Sequence, residues 1–198
     1  LDKNKYEVVP VGITKEGKWL LSDTSNYLLN KYNPKLIKLN NSNKEVALFA
    51  EINMHKVFLD ANVFFAAVKS KTGGSYFILE LAKERFVEAA TVVHALSEAE
   101  RNIAKKLDEA ALSQHYENLL VIRPRIQSLA DVSIEAERKF SGIIPEKDIP
   151  IVLGALLSGA EFLITLDRKH LLSNAKLQAL HLPFVILTPG DFIQNYIS

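Results

Sequence analysis

An α/β fold built on a mainly parallel sheet, flanked by helices, is the architecture this sequence predicts for residues 54–198. Three observations carry that expectation. Short apolar runs rich in Val, Ile, Phe or Leu recur at 56–60, 88–93, 161–166 and 183–188. Segments with helical periodicity lie between them, the alternation that βαβ units produce. The composition, 48% hydrophobic and 24% charged, is that of an ordinary globular chain able to bury a core.

The elements follow in order. KVFLD at 56–60 is the first strand, and Asn62–Val68 and Ser75–Arg85 are helical patterns behind it. The strand at 88–93 leads into helical runs from about Leu96 to Leu107 and over Glu109–Leu119. Val132–Phe140 and Ile149–Ser158 read as two more helices. Pro150 is tolerated in the last of these because early helical N–H groups lack intrahelical partners. Strands at 161–166 and 183–188 come next. In Thr188-Pro189-Gly190-Asp191 a hydroxyl precedes an acid by three positions, a capping-box start for a final helix. No internal repeat or low-complexity tract interrupts the pattern.

Composition also narrows the function classes. With no cysteine there is no disulfide scaffold, thiolate metal site or cysteine nucleophile. No apolar run is long enough for a membrane span, and no secretion-signal pattern is visible, so a cytoplasmic protein is expected. Residues 1–53 carry eight Lys/Arg against six Asp/Glu, and the remainder sixteen against seventeen. Charge of either sign is nowhere massed, so a nucleic-acid partner has to be held locally or with help from a metal ion.

Ligands of parallel α/β sheets bind beyond the carboxyl ends of the strands, which directs attention to the polar residues found there. Asp60 ends the first strand. Glu98 and Glu100 fall in the first turns of the helix after the second, Asp148 stands at a helix start, and Asp167 follows the strand that contains Thr165. Each acid alone reads as a helix cap, a turn residue or a solvated side chain. Gathered at one edge, they repel one another unless a cation neutralises them. Hard oxygen donors select Mg²⁺ or Mn²⁺, and such an ion suits phosphodiester hydrolysis. Glu98 and Glu100 lie about 200° apart around a helix, so only one of them can face the site. Arg168 and Lys169 are candidate phosphate contacts or a solvated pair, Arg101 is equally ambiguous, and His94 and His170 are assigned no role.

In combination, KVFLDANVFFAA, LSEAERNI, IPEKDIPIVLGALLSGAEFLITLDRKHLL and LPFVILTPGDFI resemble the PIN domain, the ribonuclease fold of VapC-type bacterial toxins, over about residues 55–195. The resemblance implies a Mg²⁺- or Mn²⁺-dependent endoribonuclease acting on RNA, the toxin of a toxin–antitoxin pair, with an antitoxin protein as partner and a homodimer as its assembly. It implies an acidic quartet of Asp60, Glu98, Asp148 and Asp167 as metal-holding and catalytic residues, with Asn62 and Thr165 in support. The family pattern selects Glu98 over Glu100. Leu166 stands where relatives often carry glycine. The alternative is a PIN-like module that binds RNA or protein without cutting, its acids serving as caps.

Residues 1–53 form a strand-rich N-terminal extension of different texture. KYEVVPVGITKEGKWLL alternates on both sides of a Lys-Glu-Gly turn, a polar passage follows, and Val46–Phe49 is a further strand candidate. Residues 1–21 resemble part of the N-terminal domain of D-alanine–D-alanine ligase. The glycine-rich opening strand and ATP-grasp portion of that family are not in this sequence, so no ligase activity is expected of it. The favoured reading is a fused remnant upstream of a domain that began at Met54, since the sequence opens at Leu1 without methionine; a packed accessory domain is the other.

Overall fold

The computed structural model describes residues 54–197 throughout, and of the first 53 only the strand segments named here. The chain divides into two compact units, Leu1–Met54 and His55–Ser198.

In the first unit, β1 (Lys5–Val8) and β4 (Leu36–Lys38) both pair antiparallel with β5 (Leu48–Glu51). A separate antiparallel pair joins β2 (Pro10–Ile13) to β3 (Trp19–Leu21). The two alternating runs of the sequence are therefore strands that pair with each other. The Lys-Glu-Gly turn between them and most of the polar passage lie outside the described residues, although β4 falls inside that passage.

The second unit is organised by a five-stranded sheet in the order β10-β9-β6-β7-β8, made of His55–Leu59 (β6), Val87–Thr91 (β7), Arg125–Ile126 (β8), Phe162–Ile164 (β9) and Val185–Leu187 (β10). Every pairing is parallel, so all five carboxyl ends lie along one edge. The middle strand β6 is apolar because it is covered on both faces: Val57, Phe58 and Leu59 are fully buried.

Helices connect the strands, as parallel pairing requires. They are α1 (Ala61–Lys69), α2 (Gly74–Lys83), α3 (Val93–Lys106), α4 (Glu109–Ile122), α5 (Ile134–Arg138), α6 (Ile149–Ser158), α7 (Ala175–Gln178) and α8 (Pro189–Phe192). Helix α6 packs against β6, β7 and β9 and buries Ile151, Val152, Leu153 and Ala155. Gly154 makes that approach possible: a methyl group there would lie 2.6 Å from both Phe58 Cζ and Val92 Cγ1. Thr188 caps α8 as its sequence foretells, accepting from the Asp191 N–H at 3.1 Å and donating to the Asp191 carboxylate at 2.6 Å.

Several elements depart from the periodicity. β8 has two residues, both exposed, so no apolar run marks it. Arg168–Leu172 forms a π-helical turn just beyond the strand expected at 161–166. Helix α5 is shorter than the Val132–Phe140 pattern and buries no residue of its own. Among the described residues no helix is long and apolar enough to cross a membrane.

Candidate metal centre

The first strand passes straight into the site. Asp60 follows Leu59 and starts α1, its Oδ1 accepting from the Ala61 N–H at 2.6 Å. The Asp60 N–H donates to the Ile164 carbonyl at 3.1 Å, and Thr91 Oγ1 donates to the Leu59 carbonyl at 2.8 Å. The ends of β6, β7 and β9 are thus tied together just where polar residues begin.

Thr165, one residue beyond β9, is fully buried and its hydroxyl uses its whole bonding capacity. It donates to Asp60 Oδ2 at 2.6 Å, and it accepts from Asn62 Nδ2 at 3.1 Å and from the Asp167 N–H at 3.0 Å. A hydroxyl has one proton and two lone pairs to offer. Asn62 Nδ2 also donates to Asp60 Oδ2 at 2.6 Å, while its Oδ1 accepts from the Leu166 N–H at 2.9 Å. Asn62 and Thr165 therefore hold the Asp60 carboxylate in one orientation across about a hundred residues of sequence. Leu166 contributes its backbone N–H, a part that a glycine fills equally well, and its side chain is exposed.

The other acids arrive from separate segments. Glu98 projects from α3, Asp148 closes a 3-10 turn (Glu146–Asp148) that leads into α6, and Asp167 begins the π-helical turn. Asp60, Glu98, Asp148 and Asp167 all line one cavity of about 160 Å³, together with Asn62, Phe65, Asn102, Lys106 and Lys147. Glu100 lies elsewhere, accepting from the Tyr116 hydroxyl at 2.6 Å. Their different surroundings follow from their spacing on the helix. Arg101, Arg168 and Lys169 are exposed and none of them lines the cavity.

Burial and charge divide the carboxylates. Asp60 is pushed up to about 6 by burial, with the charges of Glu98 and Asp148 adding to the effect against the bonds from Thr165 and Ala61. Burial also raises Asp148, reinforced by Asp167 and Glu98 and opposed by Lys147 and His170. Burial acts the same way on Asp167, but the two hydrogen bonds from His170 and the charges of His170 and Lys147 outweigh it and leave that carboxyl low. Helix capping accounts for Asp60 and Asp167, whose side chains accept from Ala61 and His170. It does not account for Asp148, which makes no side-chain cap bond and whose buried Oδ2 has no hydrogen-bond partner. A buried carboxylate oxygen without a donor is costly, and a hard cation is the partner that an all-oxygen group of this kind fits.

His170 is the residue that sequence reasoning passed over. Its Nδ1 is 2.9 Å from Asp167 Oδ2 and 3.7 Å from Asp148 Oδ2. The signal was its place three residues after Asp167, one helical turn on and on the same side. Lys147, Asn102 and Lys106 were also passed over; Lys106 Nζ donates to Asn102 Oδ1 at 2.7 Å. His94 lies 4.0 Å from Glu98.

A parallel sheet flanked by helices, with carboxylates gathered beyond its strand ends, defines the class of this domain. The PIN-domain family model matches residues 56–169, more than half of the chain, and the chain belongs to that family. Among curated proteins it is similar to the D-alanine–D-alanine ligase of Oceanobacillus iheyensis, 32% identical over 118 residues, or 54% of this chain and 32% of the ligase. The ligase of Shouchella clausii is 34% identical over 122 residues, 56% of this chain and 33% of the ligase. The chain thus spans about a third of the length of these relatives. Among solved structures, VapBC2 from Rickettsia felis, bound to a DNA fragment from its promoter, matches with a TM-score of 0.47 at 18% identity, covering 67% of this chain and 98% of that one.

Proposed function

We propose that residues 54–198 form a metal-dependent endoribonuclease, the toxin component of a toxin–antitoxin pair, acting in the cytoplasm. Membership of the PIN family supports the class of activity. The observation that carries it to this chain is the convergence of Asp60, Glu98, Asp148 and Asp167 on one cavity, with one buried carboxylate oxygen left unpartnered. In this reading the four acids hold Mg²⁺ or Mn²⁺. Such an ion polarises a phosphoryl oxygen and lowers the pKa of an attacking water.

The chain's own residues supply the positioning. Asn62 and Thr165 fix Asp60, so its carboxylate needs no reorientation when substrate arrives, a saving in the barrier. Lys147 and Lys106, both on the cavity wall, bring positive charge to a site whose substrate backbone is negative. Asp167, kept low by His170, stays ionised through the neutral range. An antitoxin partner and a homodimer belong to the same proposal and rest on the family. The upstream residues 1–53 take no part in the proposed chemistry.

The test is cleavage of single-stranded RNA by the purified chain with Mn²⁺, with EDTA, and in the Asp60→Asn and Asp148→Asn variants. Cleavage that needs the metal and drops by about a hundredfold or more in both variants is expected. Cleavage that survives EDTA rejects the mechanism. A chain that binds RNA without cutting any of a broad oligonucleotide set is instead a binding module.

A further inference from the structure

Beyond the four acids, we propose that His170 is itself a metal ligand through Nδ1, so that the site offers one nitrogen donor beside its oxygens and favours Mn²⁺ over Mg²⁺. The inference rests on the metal-nuclease reading above and adds a residue and a selectivity to it.

Geometry is the first argument. An ion with metal–ligand bonds near 2.1 Å sets neighbouring ligand atoms roughly 3 Å apart and opposite ones roughly 4.2 Å apart. His170 Nδ1 lies 2.9 Å from Asp167 Oδ2 and 3.7 Å from Asp148 Oδ2. One atom from each of Asp148, Asp167 and His170 falls within 4.8 Å of the other two, so the trio spans the space of one coordination sphere.

A second, independent observation comes from Asp148. It is 8% exposed, and the oxygen that approaches His170 is the one with no hydrogen-bond partner. At 3.7 Å that contact is too long for a hydrogen bond. An ion between them bonds both atoms, which no rearrangement of protons achieves.

The local backbone holds the imidazole in place. Asp167 and His170 sit at the two ends of one turn, closed by the His170 N–H donating to Asp167 Oδ1 at 2.9 Å. Asn174 Nδ2 donates to the His170 carbonyl at 3.0 Å and to the Ile143 carbonyl at 2.8 Å, pinning the turn to the segment before Asp148. A single π-helical turn at this point is a common way of aiming a side chain at a functional site. Ligation through Nδ1 requires the imidazole proton on Nε2, one of its two neutral forms, so an ion bound there displaces the Nδ1 proton that meets Asp167 Oδ2 in the metal-free site. Imidazole binds borderline transition ions well and Mg²⁺ poorly, which is the source of the expected preference.

The experiment uses the full chain and Mn²⁺ alone, with no RNA. Electron spin-echo envelope modulation of the bound ion is recorded on natural-abundance protein and on protein labelled with ¹⁵N-histidine. Nitrogen modulation that changes with the label, and vanishes in His170→Gln, is expected. Calorimetry should show Mn²⁺ binding weakened by about tenfold or more in that variant, with Mg²⁺ binding changed much less. Circular dichroism melting confirms that the variant folds; if it does not, the labelled wild type compared with His94→Gln decides, since the modulation must survive loss of the other nearby histidine. Mn²⁺ binding that Asp148→Asn abolishes but that shows no histidine nitrogen overturns the ligand while leaving the nuclease reading intact. No Mn²⁺ binding by the wild type overturns both.

Discussion

Thr165 Oγ1 donates to Asp60 Oδ2 at 2.6 Å, joining the ends of two neighbouring parallel strands through a single buried hydroxyl. Because the same hydroxyl accepts from Asn62 and from the Asp167 backbone, it links two of the four acids. Thr165→Val keeps the shape and removes the bonds. The expected cost is about 1–3 kcal/mol of stability, read as a lower urea midpoint, with RNA cleavage reduced by about tenfold to a hundredfold. Unchanged cleavage in a folded variant would remove Thr165 from the site.

Asn62 tests the same bridge from the other side. Asn62→Ala removes both donations of the amide and the acceptor used by the Leu166 N–H. Because Asn62 is only half-buried, water recovers part of the loss, and about 1–2 kcal/mol of destabilisation is expected. The measurement is the unfolding midpoint at neutral pH. A rise in KM without loss of kcat would show that Asn62 serves substrate binding rather than the orientation of Asp60.

The buried position of Asp60 sets a pH dependence in the metal-free protein. Its carboxyl titrates at about 6 in the fold against an ordinary 3.8. Between those values the folded chain holds a proton that the unfolded chain has released. The stability this group contributes is therefore complete below about 3.8 and is lost as pH rises to about 6. The loss is on the order of 3 kcal/mol. Chemical denaturation in EDTA at about pH 5 and about pH 7.5 should show roughly half of it, since the remainder is already lost by pH 5, as a difference between the wild type and Asp60→Asn. Mn²⁺ at the higher pH should restore the wild type, and a pH-independent difference would contradict the assignment.

For Asp148 the expected trade runs the other way. Asp148→Asn removes a buried charge whose Oδ2 lacks a partner, so in EDTA at neutral pH the variant should melt higher than the wild type. A chain of this size gains roughly 2–4 °C for each kcal/mol. Added Mn²⁺ should no longer raise its melting temperature. A variant that melts lower in EDTA would mean that this carboxylate is stabilised by groups within the fold.

Glu98 and Glu100 form a matched pair for a direct comparison. Glu98 lines the cavity and Glu100 accepts from Tyr116. Glu98→Gln should lower cleavage by about a hundredfold, whereas Glu100→Gln should leave cleavage unchanged and alter stability by about 0.5 kcal/mol at most. The reverse result would exchange their roles.

Much of the second unit was legible in the sequence because its cues were local. Ile149–Ser158 is apolar up to its last residue and bounded by an acid and a glycine, and its helix has those same limits. Asp60 was legible because a carboxylate directly after Val57-Phe58-Leu59 cannot belong to the core pattern. Helix α3 begins at Val93, ahead of the periodicity that starts at about Leu96, since no side-chain cap marks that start. β8 escaped because its two residues take their hydrogen bonds from β7 and bury nothing. His170 escaped for another reason. A histidine among Arg168 and Lys169 looks like a solvated turn, and its proximity to Asp148 depends on two chain segments meeting. The missing partner of Asp148 Oδ2 is likewise a property of the folded surroundings alone.

The cavity draws on residues from Asp60 to Asp167, carried by segments far apart in the chain. As the chain is synthesised, a ribosome-bound intermediate that has released β6 and α3 still lacks the turn bearing Asp167. Under the proposed function, no partial chain of this domain that stops short of Asp167 can cut RNA. On that proposal, the cell that makes this chain would be spared its action until translation has passed the last acid, and a restraining partner of the kind proposed would have that interval in which to arrive.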